Sequence, residues 1–271
     1  MVSSGLPRPG ERCGGALLQA ALRAEFAGFV LRPDWPAPAN VGAVVTTCEG
    51  PSPVRNSAYG FNVGTRCGDD PTAVTRNRAF LRDALALPSE PRWLRQEHGI
   101  RVCLEAQPGE PEADAAVTRD AGVVLAIQTA DCLPVLFCAD DGSEVAAAHA
   151  GWRGLAAGVL EAALQAIRTP RARVMAWLGP AIAARSYEVG GEVRDAFLAH
   201  DPAAASAFAA TRAGHWACDL YALARQRLHA AGVARTFGGG LDTFTDLRLH
   251  SYRRDGATSG RMGSLIWIAP Y

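Results

Sequence analysis

Apolar residues in the middle of the chain occur in short, nearly continuous runs bounded by turn-forming residues. The runs span residues 123–128, 133–139 and 144–149 and are rich in valine, leucine and alanine. Runs of this length and composition predict buried β-strands. The sequence Asp140-Asp141-Gly142 between the last two runs predicts a hairpin turn. Comparable runs predict further strands at 41–46, 174–178 and 264–268.

A second pattern, with apolar residues returning every three or four positions, predicts helices at 14–30, 155–167, 191–200 and 219–231. Another predicted helix begins at Asp70-Pro71, where aspartate caps and proline fits the first turn, and ends near Leu85. An irregular loop from Asn56 to Gly64 precedes it. The mixed order of strands and helices predicts an α/β or α+β fold in a single compact domain. A proline-rich stretch follows the first helix, so residues 1–34 are predicted to be an N-terminal appendage.

Charge and composition narrow the range of functions. With 27 basic and 27 acidic residues the formal net charge is zero, so no overall positive field attracts nucleic acid or an anionic membrane. The sequence contains no lysine, which excludes Schiff-base chemistry and a Walker-type phosphate loop, because each requires an amine at a fixed place. Any phosphate would have to bind arginine, backbone amides or a metal.

The cysteines indicate a reducing environment. There are seven, an odd number without close pairing, and no signal-peptide pattern precedes them, so a secreted disulfide framework is not expected. No apolar run approaches the roughly 20 residues that a membrane-spanning helix needs. We therefore expect a cytoplasmic protein, a monomer or small homo-oligomer, with neither nucleic acid nor a membrane as its partner.

Three residues distant in sequence are candidates for the chemistry. His98 follows Arg-Gln-Glu, Cys132 lies between two predicted strands, and His149 is followed by a glycine-rich turn. Each lies at the end of a predicted strand, where side chains of different strands converge. Two histidines and one cysteine would bind zinc with a fourth position open, as in catalytic zinc sites. Two other interpretations remain open from the residues alone: ordinary packing of the three side chains, and a cysteine hydrolase with Cys132 as nucleophile and His149 as base.

Ten motifs in sequential order carry a resemblance to a known family. They are WPAPANV (35–41), NVG followed by GDDPTAVTRNR (62–78), WLRQEHG (93–99), ADAAVT (113–118), TADCLPVL (129–136), AAAHAGWRGLAAGVLEAAL (146–164), WLGPAI (177–182), YEVG (187–190), DLYALARQRL (219–228) and SYRRDGATSGRMGSLIW (251–267). The chain from residue 35 onward resembles the YfiH family of laccase-like proteins, which includes proteins called polyphenol oxidases and purine nucleoside phosphorylases. The TADC and HAGWRG motifs are the most specific.

The resemblance implies a fold, a metal and an activity. It implies a YfiH-like catalytic domain over 35–271, with mixed β-sheet layers flanked by helices. It implies a zinc ion bound by His98, Cys132 and His149. The implied reactions are phosphorolysis of adenosine, inosine and methylthioadenosine to free base and ribose 1-phosphate, and deamination of adenosine. The laccase name rests instead on copper and phenol oxidation.

Further site residues are hypotheses drawn from position. Arg153 lies at the predicted start of a helix after His149, where a phosphate would bind, and Asn62 is a candidate for a polar group of the nucleoside. Arg254 and, less directly, Arg261 are additional candidates for substrate binding. Asp131, beside the cysteine, is a candidate proton relay or support for the metal ligands. Trp152 and Tyr252 could stack on a purine but are kept apart from the catalytic set.

Some positions depart from the family pattern. Cys48 stands where relatives commonly have an arginine, which puts phosphorolysis in question. Cysteines that many relatives carry are replaced by Ala181, Ala184, Ser186, Thr243 and Thr245. Loss of soft ligands makes copper, and hence oxidase chemistry, less favoured than zinc. Glu97 stands where a valine is usual.

Three alternatives to the zinc phosphorylase remain open. The first is a cysteine-type amidohydrolase, including editing of cell-wall precursors, that uses Cys132 and His149. The second is a copper-dependent polyphenol oxidase. The third is a binding protein without catalytic activity.

Overall fold

The computed structural model describes residues 28–50, 59–104 and 109–270. The strands are β1 (Val30–Leu31), β2 (Val41–Thr46), β3 (Val102–Cys103), β4 (Ala115–Thr118), β5 (Val124–Thr129), β6 (Leu133–Ala139), β7 (Val145–Ala150), β8 (Val174–Leu178), β9 (Glu188–Gly190), β10 (Phe208–Arg212), β11 (His215–Cys218), β12 (Arg235–Gly238) and β13 (Met262–Ile268). The α-helices are α1 (Pro71–Ala84), α2 (Trp152–Ala157), α3 (Val159–Ala166), α4 (Gly191–Leu198), α5 (Leu220–Ala230) and α6 (Tyr252–Asp255).

The strands form two large sheets and one small one. A four-stranded antiparallel sheet has the order β1-β2-β13-β5, and a six-stranded mixed sheet has the order β12-β8-β6-β7-β4-β3. The small sheet is antiparallel, has the strand order β10-β11-β9, and shares no strand pairing with the two large sheets within the described residues. The predicted mixture of sheet layers and helices in one domain is confirmed.

The two large sheets pack face to face, and helices cover their outer faces. Leu136 of β6 shares one apolar cluster with Ile127 of β5 and Ile266 of β13. The alternate residues of β6, such as Phe137, face a second cluster that includes α3 and α5. The outer face of the four-stranded sheet packs on α1 through Leu81. Both faces of the central strands are therefore buried, which explains their continuous apolar runs.

Most predicted elements are confirmed. The strands at 41–46 and 174–178 match β2 and β8, and the hairpin is the turn between β6 and β7, with Gly142 at φ 71°. In α1 the Asp70 side chain accepts a hydrogen bond from the Thr72 N–H at 2.9 Å, as a cap does.

The predicted helix 155–167 is instead two helices. The chain changes direction at Gly158, which has φ 103°. This glycine is both the C-cap of α2 and the N-cap of α3. Apolar spacing continues across the break, so periodicity alone could not reveal it. A left-handed residue at this point requires glycine, and the sequence supplies one.

The N-terminal predictions are tested only in part. Residues 14–27 of the first predicted helix, and Asn56, lie outside the described residues. The end of that predicted helix is wrong, because Val30 belongs to β1 and pairs with Thr46. Phe29 and Val30 are buried against the sheet, so the packed structure extends upstream of residue 35. None of the helices in the described part of the chain has the length and apolar character required to cross a bilayer.

Candidate metal centre and active-site cavity

His98, Cys132 and His149 meet at one point. One ligand atom from each lies within 4.8 Å of the others. The His98 Nε2 and Cys132 Sγ atoms are 3.7 Å apart, and the two imidazole ring centroids are 4.7 Å apart at an angle of 71°. Around a tetrahedral zinc, a nitrogen and a sulfur ligand are separated by roughly 3.5 Å. The donor set and its spacing therefore fit a zinc ion.

Strand pairing brings Cys132 and His149 together. In the β6–β7 hairpin, Pro134 is paired with His149 and Leu133 with Ala150, so Cys132 lies opposite the turn that begins at Gly151. Asp131, immediately before the cysteine, has φ 85°, which turns the chain sharply between β5 and β6. The open end of a buried hairpin thus supplies two of the three ligands.

Two glycines allow the His98 loop to pack against this end. A Cβ atom added to Gly151 would lie 2.7 Å from His98 Cδ2 and 3.0 Å from Cys132 Sγ. A Cβ atom on Gly154 would lie 2.9 Å from the Gly99 carbonyl oxygen. The glycines of the HAGWRG motif therefore have a steric role, since any side chain at these positions would force the ligands apart.

Asp114, which is not among the predicted site residues, contacts both histidine-bearing segments. Its carboxylate is 1% exposed and accepts hydrogen bonds from the backbone N–H groups of Glu97, His98 and Gly99 at 3.2, 2.9 and 2.7 Å. The same carboxylate lies 2.8 Å from His149 Nδ1. The signals in the sequence are a charged residue at the entrance to the apolar strand β4 and its place in the ADAAVT motif (113–118).

The charges of the cluster favour the thiolate form of Cys132. Burial alone would raise the pKa of this thiol, but the adjacent His149 and His98 imidazoles outweigh it and lower the pKa. Burial alone would lower the pKa of His149, but Cys132 and Asp114 raise it. A thiolate is both the form that binds a metal and the form that acts as a nucleophile. These electrostatics suit the zinc centre and the cysteine hydrolase equally.

The cluster opens into a cavity of about 610 Å³. Arg153, Arg253 and Arg261 line it, and none of them forms an ion pair with a carboxylate of residues 28–50, 59–104 or 109–270. Three aromatic residues, Trp152, Tyr187 and Tyr252, also line the cavity. Unpaired guanidinium groups beside aromatic faces provide binding partners for an oxyanion and for a planar base.

Aromatic rings hold the cavity arginines in place. The Arg153 guanidinium lies 4.4 Å from the centroid of the Trp152 ring. Arg253 lies 5.2 Å from the Tyr187 ring, and Arg261 lies 5.8 Å from the Tyr252 ring. Cation–π contacts order these side chains without neutralising them, so their positive charge remains available to a ligand.

Asp131 lines the cavity beside Cys132, and both of its carboxylate oxygens are occupied. One accepts from the Thr243 hydroxyl at 2.6 Å, and the other accepts from the Arg253 backbone N–H at 2.6 Å. Asp131 thus ties the cysteine turn to the segment that carries Arg253. Its role as proton relay stays a prediction.

Two predicted substrate residues do not line the cavity. Asn62 is fully buried, and its amide contacts Gly64, Asp69 and the Arg261 backbone N–H. Arg254 donates to the carbonyl oxygens of Thr243, Phe244 and Leu249 at 2.8, 3.1 and 2.7 Å. Their contacts stabilise loops around the cavity, whereas Arg253, missed in the sequence, faces it.

Two of the positions that depart from the family pattern, Glu97 and Cys48, form specific contacts in the structure. Glu97 lines the cavity and pairs with Arg66 at 2.7 Å. The Cys48 Sγ atom is 3.2 Å from the Leu247 carbonyl oxygen, and Cys48 does not line the cavity. Position 48 therefore supplies no cationic group, and the cations that line the cavity among the described residues are Arg66, Arg153, Arg253 and Arg261.

The sequence of the chain is similar to those of a known protein family and its members. A family model described as multi-copper polyphenol oxidoreductase laccase matches residues 43–269. The chain belongs to this family. A Xylella fastidiosa protein named purine nucleoside phosphorylase is 49% identical over 257 residues, which cover 90% of this chain and 98% of the relative. The Escherichia coli protein named purine nucleoside phosphorylase YfiH is 48% identical over 240 residues, covering 87% and 97%.

The fold of the family agrees with the structure. A crystal structure of a Neisseria meningitidis protein, 48% identical, superposes with a TM-score of 0.84 and covers 89% of this chain and 99% of that one. The YlmD protein of Geobacillus stearothermophilus, 29% identical, superposes with a TM-score of 0.79 over 90% and 97%. The resemblance inferred from the motifs is thereby confirmed.

Proposed function

We propose that this protein is a zinc-dependent purine nucleoside phosphorylase that converts adenosine, inosine and methylthioadenosine to free base and ribose 1-phosphate, and that it also deaminates adenosine. The observation that carries the proposal is the cavity. In it a His-Cys-His cluster lies beside three arginines that form no ion pair within the described residues, and beside aromatic rings that include Trp152 and Tyr252. The names of relatives about 50% identical support the same reaction.

The arginines meet the chemical requirement for phosphate. In phosphorolysis a phosphate oxygen bonds to the anomeric carbon of the ribose while the bond from that carbon to the purine nitrogen breaks. The electron pair stays on the base, which takes up a proton. Arg153 and Arg253 hold and orient the phosphate, and their charge compensates for the missing arginine at position 48. Arg254 acts at a distance, by ordering the loops around this segment.

The aromatic residues meet the requirement for the base. Trp152 and Tyr252 offer apolar faces on which a purine stacks, while their neighbouring arginines stay charged. Asn62 contributes by holding Gly64 and the Arg261 backbone at the cavity wall. A zinc ion held by His98, Cys132 and His149, with its fourth position open, would lower the pKa of a bound water and so serve deamination.

A single experiment tests both reactions. Protein purified without added metal is analysed for zinc and copper and then incubated with adenosine with and without inorganic phosphate. We expect one zinc per chain and free adenine only when phosphate is present. Deamination gives inosine without phosphate, and inosine together with its free base hypoxanthine when phosphate is present. Absence of both products would refute the proposal.

A cysteine amidohydrolase is the second candidate, because the Cys132 thiolate and His149 form the pair that such enzymes use. Chelation separates the two functions. The zinc enzyme loses activity with a chelator and regains it with added zinc, whereas a nucleophilic Cys132 remains active and is inactivated by iodoacetamide. A polyphenol oxidase would instead require stoichiometric copper and would consume oxygen with a phenol.

A further inference from the structure

We infer that Asp114 is the positioning residue of the metal centre, a single carboxylate that sets the orientation of two of its three ligands. The inference rests on the proposed binding of zinc at this cluster. It follows from the hydrogen bonds of Asp114, which reach the backbone of the His98 loop on one side and the His149 ring on the other.

The backbone hydrogen bonds of Asp114 fix the loop that carries His98. This residue has φ 59°, in the left-handed region that a residue with a side chain rarely adopts. Three consecutive backbone N–H groups, of Glu97, His98 and Gly99, converge on the Asp114 carboxylate. Such a concave set of N–H groups binds an anion, and here the anion belongs to the protein itself. The carboxylate therefore holds the conformation that directs the His98 ring toward Cys132.

The side-chain contact of Asp114 orients the His149 ring. Its Nδ1 atom is 2.8 Å from Asp114 Oδ1, and both oxygens of that carboxyl group already accept backbone N–H groups, so Nδ1 is the donor of this contact and carries a proton. The Nε2 atom is then the nitrogen that faces Cys132 and is free to bind a metal. Carboxylates bound to the far nitrogen of a histidine ligand fix its ring orientation in zinc sites, and their loss weakens metal binding about 10- to 100-fold.

The test uses a matched pair of buried carboxylates. Asp114→Asn keeps the shape but removes the charge that four N–H groups share. Glu144→Gln is the control, because Glu144 is 3% exposed and likewise accepts from the backbone N–H groups of Arg168 and Thr169. Glu144 lies at the opposite end of the hairpin from the ligands, just before β7 begins.

Zinc dissociation constants are measured for each metal-free protein by competition with a chromophoric chelator, alongside its thermal unfolding temperature. We expect Asp114→Asn to bind zinc about 10- to 100-fold more weakly, with Glu144→Gln unchanged in affinity even though it is destabilised. Equal affinity of Asp114→Asn and wild type overturns the inference alone. Failure of the wild type to bind zinc overturns the inference together with the proposed metal centre.

A measurement on the wild type keeps the inference testable if Asp114→Asn does not fold. In zinc-loaded protein with nitrogen-15 histidine, we expect the His149 proton on Nδ1 and the metal on Nε2. A metal-bound Nδ1 would overturn the inference, because Asp114 could not then accept a hydrogen bond from that nitrogen.

Discussion

Replacing Gly151 by alanine tests whether the glycine turn exists to let the ligands converge. Gly151 has φ −61° and ψ 155°, a conformation open to any residue, so alanine brings no backbone strain. Its Cβ atom would lie 2.7 Å from His98 Cδ2, against the 3.4 Å at which ordinary van der Waals contact begins. The His98 ring must therefore shift by about 0.7 Å, with a smaller shift of Cys132.

This displacement exceeds the roughly 0.2 Å tolerance of a metal-ligand distance. We expect Gly151→Ala to weaken zinc binding about 10- to 100-fold, about 1.4 to 2.7 kcal/mol, and to reduce nucleoside turnover at limiting zinc accordingly. Chelator competition and zinc titration of activity measure the two effects. Gly191→Ala is the control, since its nearest contact would be an ordinary 3.6 Å. Zinc binding within twofold of wild type in Gly151→Ala would refute the steric role.

Three further predictions address phosphate, pH and the cavity wall. Arg153→Ala should raise the KM for phosphate about tenfold without changing the rate of adenosine deamination, because one charged hydrogen bond is worth about 1.5 kcal/mol or more. Arg173→Ala, which removes an exposed ion pair with Asp140, is the control and should change neither quantity. Burial lowers the pKa of His250 to about 4, so between pH 6.5 and 4 the unfolded chain binds a proton at this residue and the folded chain does not. Denaturant titration should therefore show that the wild type loses up to about 3 kcal/mol of unfolding free energy over this pH range, and that His250→Gln loses less. Tyr221→Phe removes a buried hydroxyl that accepts from the Ala181 N–H and donates to the Leu241 carbonyl. It should lower the unfolding free energy by about 1 to 3 kcal/mol and leave the zinc affinity unchanged.

The central strands could be predicted because their environment leaves a strong signal. Both faces of β5, β6, β7 and β8 are covered by another sheet or by helices, so their sequences are almost uninterruptedly apolar. Strands β10 and β11 were not predicted. Most of their side chains are exposed or half-buried, so neither an apolar run nor a clear alternation distinguishes them from a loop. A strand can thus be recognised from its apolar sequence pattern only to the extent that its side chains are buried.

The three candidate ligands were selected from their places at strand ends and from family motifs, whereas Asp114 was not. A ligand stands out by residue type, because histidine and cysteine are few in this chain. Asp114 is one of 27 acidic residues, and its role depends on three backbone N–H groups about 16 residues away in sequence. Only the folded chain reveals that these N–H groups point at one carboxylate.

Arg253 and Arg254 show how one position decides which side chain reaches the cavity. Consecutive residues of a helix point about 100° apart, so only one of two adjacent arginines faces a given surface. Here the Ser251 hydroxyl accepts from the Arg254 N–H at 3.2 Å and begins α6, while Asp131 accepts from the Arg253 N–H. Arg254 consequently turns toward loop carbonyls and Arg253 toward the cavity. The start of a four-residue helix therefore selects the guanidinium that a substrate would meet, and neither composition nor periodicity encodes that choice.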